Sequence, residues 1–68
     1  MKRKKGDTVT IRKDLKGGTI YGTCLFSFDM YEFTGYTTEI IHVNEEMESY
    51  LLVIDEEMFS WTDEMLEN

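Results

Sequence analysis

Among the 68 residues of this chain, the side chains able to do proton, nucleophile or metal chemistry are one histidine, one cysteine and fourteen carboxylates. His42 stands near Glu39 and an acidic turn. A transition-metal site, however, wants three or four suitable ligands, and only carboxylates are there to help. The histidine therefore reads as an ordinary strand residue. Cys24, between Thr23 and Leu25, reads as a small hydrophobe, since nothing in the sequence builds an electropositive pocket around its thiol. The adjacent pairs Glu45-Glu46, Glu56-Glu57 and Asp63-Glu64 point into water from turns. General acid–base work on a glycoside instead needs two carboxylates that face each other across a groove. Neither Glu45-Glu46-Met47-Glu48 nor Asp55-Glu56-Glu57 has the alternating oxygen spacing of a calcium loop. Gly17-Gly18 and Gly22 lack the Lys-Ser/Thr and the strand–helix junction of a phosphate loop. These readings give no metal site, no cofactor and no enzyme; the expected activity is binding.

Charge is the informative feature. All seven basic residues, Lys2, Arg3, Lys4, Lys5, Arg12, Lys13 and Lys16, lie in the first sixteen positions, where two carboxylates leave a net +5. Residues 17–68 hold twelve carboxylates and no Lys or Arg, a net −12. Ordinary small domains intersperse the two signs, so this segregation describes a field that selects partners by charge.

Size permits one small core and no deep cleft beside it. Trp61, four Phe and four Tyr supply the apolar area and set the chain apart from a disordered segment. A lone cysteine excludes an intrachain disulfide and fits a reducing compartment. The basic start is followed by polar residues rather than an apolar run, so export is not expected. No segment has the ~20 apolar residues of a membrane span. The expected location is the cytoplasm, with no membrane partner.

Residues 1–6 read as a flexible basic tail and 7–68 as the domain. Thr8 to Arg12 alternates like a half-buried strand, with Val9 and Ile11 inward. Lys13 to Thr23 is glycine-punctuated and irregular, pinned by Leu15, Ile20 and Tyr21. Cys24 to Phe33 fits both helical and strand periods and is read as a strand or arm before a turn at Thr34-Gly35. Tyr36–Asn44 and Ser49–Asp55 form an antiparallel hairpin, because four residues cannot make a parallel crossover. Met58 to Thr62 is expected as a short closing strand, and Thr62 or Asp63 as the cap of a last helical turn. The expected core is Val9, Ile11, Leu15, Ile40, Val43, Leu52, Ile54, Phe59, Trp61 and Met65. An alternating strand buries only one of Ile40 and Ile41 unless a bulge intervenes. Tyr36, Tyr50, Phe59 and Trp61 read as packing residues rather than a peptide groove.

This order of elements is that of an all-β, mainly antiparallel SH3-like barrel with a long arm after its first strand. The pieces GDTVTIRKDLKGG-IYG, FTGYTTEI and YLLVIDEE-FSWTDEML also resemble a group of small phage and prophage proteins of Gram-positive bacteria. That resemblance implies the barrel and a bacterial host cell, and carries over no catalytic residue. With it, the charge pattern gives the functional expectation. Glu45, Glu46, Glu48, Asp55, Glu56, Glu57, Asp63 and Glu64 form an acidic face that imitates phosphates. The face docks on a basic host protein that handles nucleic acid or serves in defence. The alternative is a nucleic-acid-binding barrel that contacts phosphates through Lys2, Arg3, Lys4, Lys5, Arg12, Lys13 and Lys16. The acidic remainder opposes it. Pairing of exposed edge strands would make a homodimer.

Overall fold

The computed structural model describes residues 2–67. Alternation sets the first strand, β1 (Thr8–Thr10), in which Val9 is buried between two more open threonines. It pairs antiparallel with β4 (Thr37–Asn44), Val9 opposite Thr38 and Thr10 opposite Thr37. The hydroxyls of Thr10 and Thr37 hydrogen-bond at 2.9 Å. On its other side β4 pairs antiparallel with β5 (Ser49–Leu52), giving a three-stranded sheet of order β1-β4-β5. The register slips between Ile40 and His42, which face Leu52 and Leu51. Ile41 is therefore the extra residue of a bulge. Ile40 is buried and Ile41 only half-buried, so the condition set by the adjacent isoleucines is met.

A separate two-stranded hairpin, β2 (Thr19–Tyr21) with β3 (Cys24–Phe26), occupies the long arm. Its inward residue Phe26 is fully buried, whereas the facing pair Ile20 and Leu25 points outward. The segment that fitted two periods becomes a 3-10 stretch, Phe28–Phe33, that buries Met30. Gly17 lies under the Phe28 ring, where a Cβ would come within 2.5 Å of the ring carbons.

Trp61 is fully buried and packs edge-on to Phe26, Phe33 and Phe59 at centroid distances of 6.3–6.5 Å. Around it lie Ile11, Met30, Ile40, Tyr50, Leu52 and Met65. Of the expected core, Val43, Ile54 and Phe59 sit at its margin, while Phe26, Met30, Tyr50 and Leu66 are full members. The expected closing strand Met58–Thr62 is reduced to one bridge, Trp61 with Tyr50. The expected Ser49–Asp55 strand ends at Leu52 and turns run over 53–57, where Asp55 folds inward and its Oδ2 accepts from Phe59 N at 2.9 Å and Trp61 Nε1 at 3.0 Å. A second 3-10 turn, Asp63–Met65, follows Thr62 at its N-cap, and Leu66 bridges back to Ile11. The molecule is thus mainly antiparallel β with little helix. Isolated bridges, not a continuous strand, connect the outer edges of β5 and β1 through the C-terminal segment.

Candidate functional site

The acidic residues divide among three places. Glu45, Glu46 and Glu48 are exposed at the tip between β4 and β5. Met47 N donates to Asn44 Oδ1 at 3.1 Å to hold that tip. Glu56 and Glu57 are exposed in the turns beyond the other end of β5, where Val53 N bonds the Glu39 carbonyl at 3.0 Å. Asp63 and Glu64 begin the second 3-10 turn. Asp55 belongs to none of these. It is 3% exposed, and its carboxylate fixes the indole of Trp61. The expectation that Asp55 joins an outward acidic face is corrected: a buried carboxylate that accepts two N–H groups is a structural anchor.

Two of the three groups meet. Thr23 Oγ1 donates to the Met47 carbonyl and Thr62 Oγ1 to the Tyr21 carbonyl at 2.8 Å. The β2–β3 turn is thereby tied to the hairpin tip on one side and to the 3-10 turn on the other. Glu64 lies over Gly22, where a Cβ would approach its Oε1 to 2.5 Å. Glu48 lines a concavity of about 320 Å³ together with Lys2, Thr23, Asp63 and Glu64. It also lines a second, of about 730 Å³, with Arg3, Lys4, Lys5, His42 and Glu45. The basic leader therefore runs along this acidic junction.

Arg3 is the leader's anchor, the one described residue of the basic segment 1–6 whose side chain is seated on the body of the domain. Its guanidinium pairs with the Asp63 carboxylate through Nη1 and with the Glu67 carbonyl through Nη2 at 2.7 Å. Its backbone N–H donates to the Tyr50 hydroxyl at 3.2 Å, which in turn donates to Asp63 Oδ1 at 2.7 Å. Burial pushes the Asp63 carboxyl upward, but the hydrogen bonds from Tyr50 and Arg3 outweigh it and hold the group below the usual carboxylate range. Burial, and then the bond to Asp63, raises the Tyr50 phenol above its ordinary value. A turn closes the leader: Lys4 N donates to Asp7 Oδ2 and Asp7 N to the Lys4 carbonyl, both at 3.0 Å. Tyr50, Asp63 and Glu67 were not joined by the sequence reading. The only signal was an amphipathic tyrosine in a core strand, whose hydroxyl needs a partner.

Of the other basic residues, Arg12 is held by the fold, whereas all five lysines are exposed. Arg12 pairs with Asp14 at 2.8 Å and donates to the Glu64 carbonyl at 2.8 Å. The hydrogen bond between them raises the guanidinium and lowers the Asp14 carboxyl. The Lys13 stem lies beside Gly35, and Lys2, Lys4, Lys5 and Lys16 are exposed. His42 is exposed on β4 and Cys24 is a half-buried free thiol. Among the described residues, no three His, Cys, Asp or Glu side chains converge as a metal site. No described helix is long and apolar enough to cross a membrane. Compared with known proteins, the chain matches no family model, no curated protein and no solved structure.

Proposed function

We propose that this chain is a non-enzymatic protein-binding module of phage or prophage type, built as a small SH3-like barrel. It docks exposed glutamates on a basic, nucleic-acid-handling protein of the bacterial host cytoplasm and inhibits it by imitating phosphate. One observation carries the reading beyond simple solubility. Glu48, Glu56 and Glu57 are the only described non-glycine residues with positive φ, at 53°, 54° and 64°. Glycine or asparagine suits the left-handed region better. Backbone strain retained at an exposed site is a pointer to function, and here each strained position presents a carboxylate. The barrel assignment draws support from the C-terminal bridges that join the outer strands.

The test is capture of a host protein from bacterial lysate at low and high salt, followed by assay of that protein's own activity. Reversal of Glu45, Glu46, Glu56 and Glu57 to Lys is expected to abolish capture and inhibition while near-native unfolding behaviour persists. Because the two pairs lie beyond opposite ends of β5, E45K/E46K and E56K/E57K tested separately tell which end docks. Undiminished capture by the quadruple variant would remove the electrostatic mechanism. Direct nucleic-acid binding is the weaker reading, since Arg3 and Arg12 already spend their guanidiniums on intramolecular partners.

A further inference from the structure

The seat that holds Arg3 is made entirely by the body of the domain. The Asp63 carboxylate, the Glu67 carbonyl and the buried Tyr50 hydroxyl converge on one arginine. Tyr50 is fully buried and fixed by its ladder to Trp61, with backbone bonds of 2.6 and 2.9 Å. Asp63 is set in the second 3-10 turn and Glu67 N bonds the Thr10 carbonyl at 2.8 Å, so all three acceptors are held by the body of the domain and not by the leader. The Arg3 side chain is only 12% exposed, whereas Lys2, Lys4 and Lys5 around it are open to water. The leader thus touches the acidic junction through one specific contact and otherwise through loose charge. Gly6, at φ 93° with open space where a Cβ would stand, joins this leader to β1. A bend can be redistributed there at little steric cost.

We infer that the leader is a built-in competitor: Arg3 occupies in cis the seat that an arginine from a partner's basic segment takes on docking. The partner's contact surface is then an Arg-bearing, Lys/Arg-rich extended segment, and docking requires that the leader swing away. A competitor tethered in the same chain acts at high effective concentration and lowers apparent affinity by the fraction of molecules in which the seat is open. The inference rests on the docking reading for its biological partner, but its test uses a synthetic probe and stands or falls by itself.

The probe is a fluorescently labelled hexa-arginine peptide, titrated by anisotropy at about 20 mM salt, where surface charge is weakly screened. R3A is expected to bind it about tenfold more tightly than the wild-type chain, as fits loss of a charge-assisted competitor. K4A removes the same charge from the leader without opening the seat, and its gain should be no more than about twofold, as for an exposed charge. Adding D63N to R3A should cancel the larger gain. R3A binding no more tightly than K4A would overturn the inference. A second measurement needs no variant: as the peptide saturates the wild-type protein, the Arg3 guanidinium N–H resonances should move to the positions of a free guanidinium. A resonance that stays put at saturation would overturn it too. Gain in R3A with no lysate capture would sink only the docking reading; capture without that gain would sink only this one.

Discussion

Glu48, Glu56 and Glu57 keep their backbones in the left-handed region although each carries a Cβ. That conformation costs an L-residue roughly 1–2 kcal/mol, and glycine escapes most of it at some expense in unfolded-chain entropy. E56G and E57G are accordingly expected to raise the unfolding free energy by about 0.5–1 kcal/mol each, as read by urea unfolding with Trp61 fluorescence. E57A retains the Cβ and should give no such gain. Glycine variants no more stable than alanine ones would take away the strain argument for these glutamates. At the same scale, Asp55 shows why runs of acids mislead. It lies between Ile54 and Glu56-Glu57 and looks like part of the same polar turn, yet its indole partner is six residues on. Only the folded path brings them together.

At the scale of elements, what was legible depended on how local the deciding interaction is. β1 and β4 show a period of two in their own residues, β5 lies in the apolar run that follows Ser49, and the Ile40-Ile41 doublet marked the bulge. The β2–β3 hairpin offered no such pattern, because Ile20 and Leu25 are apolar yet face outward. The 3-10 stretch Phe28–Phe33 satisfied two periods at once. Arg3 was least legible of all: its partners lie 47, 60 and 64 positions away. The tie between leader and second 3-10 turn should nonetheless show in acid. Asp63 has a lowered native carboxyl, so its stabilisation is present above the ordinary unfolded value of about 3.9 and is lost as pH falls through the native one. D63N is therefore expected to be less stable than wild type at neutral pH, the gap closing as pH drops from about 5 towards 2. Urea unfolding across that range measures it. Tyr50, with a raised phenol, acts at the other limb: its contribution holds below about pH 10 and fades as pH rises through its native value. A gap in D63N that does not narrow in acid would mean that the Arg3–Asp63–Tyr50 cluster contributes nothing through charge.

For the whole molecule the issue is whether attraction by the leader or repulsion within the body dominates. A net charge of −7 on 68 residues is confined to a body measuring 25 × 22 × 22 Å. Those dimensions are only about two Debye lengths at 0.1 M salt, where one length is about 10 Å. At low ionic strength the carboxylates of the hairpin tip, the 53–57 turns and the 3-10 turn therefore all act on one another. Salt should weaken that repulsion more than it weakens the Arg3–Asp63 pair, whose side chains are 12% and 21% exposed, since partly buried pairs are screened less. Unfolding free energy is thus expected to rise between about 10 mM and 300 mM salt. The leader supplies the control. K2Q/K4Q/K5Q leaves Arg3 in its seat while taking the net charge from −7 to −10. Loose pairing of exposed charges is worth about 0–1 kcal/mol, so the variant should be less stable by that amount at low salt and show a steeper rise. The two curves should converge at about 300 mM, where the screening length falls to a few ångströms. Curves that stay parallel would mean that the three lysines do not sense the acidic body. A wild-type curve that falls with salt would mean that ion pairs, rather than self-repulsion, govern the electrostatics of the fold.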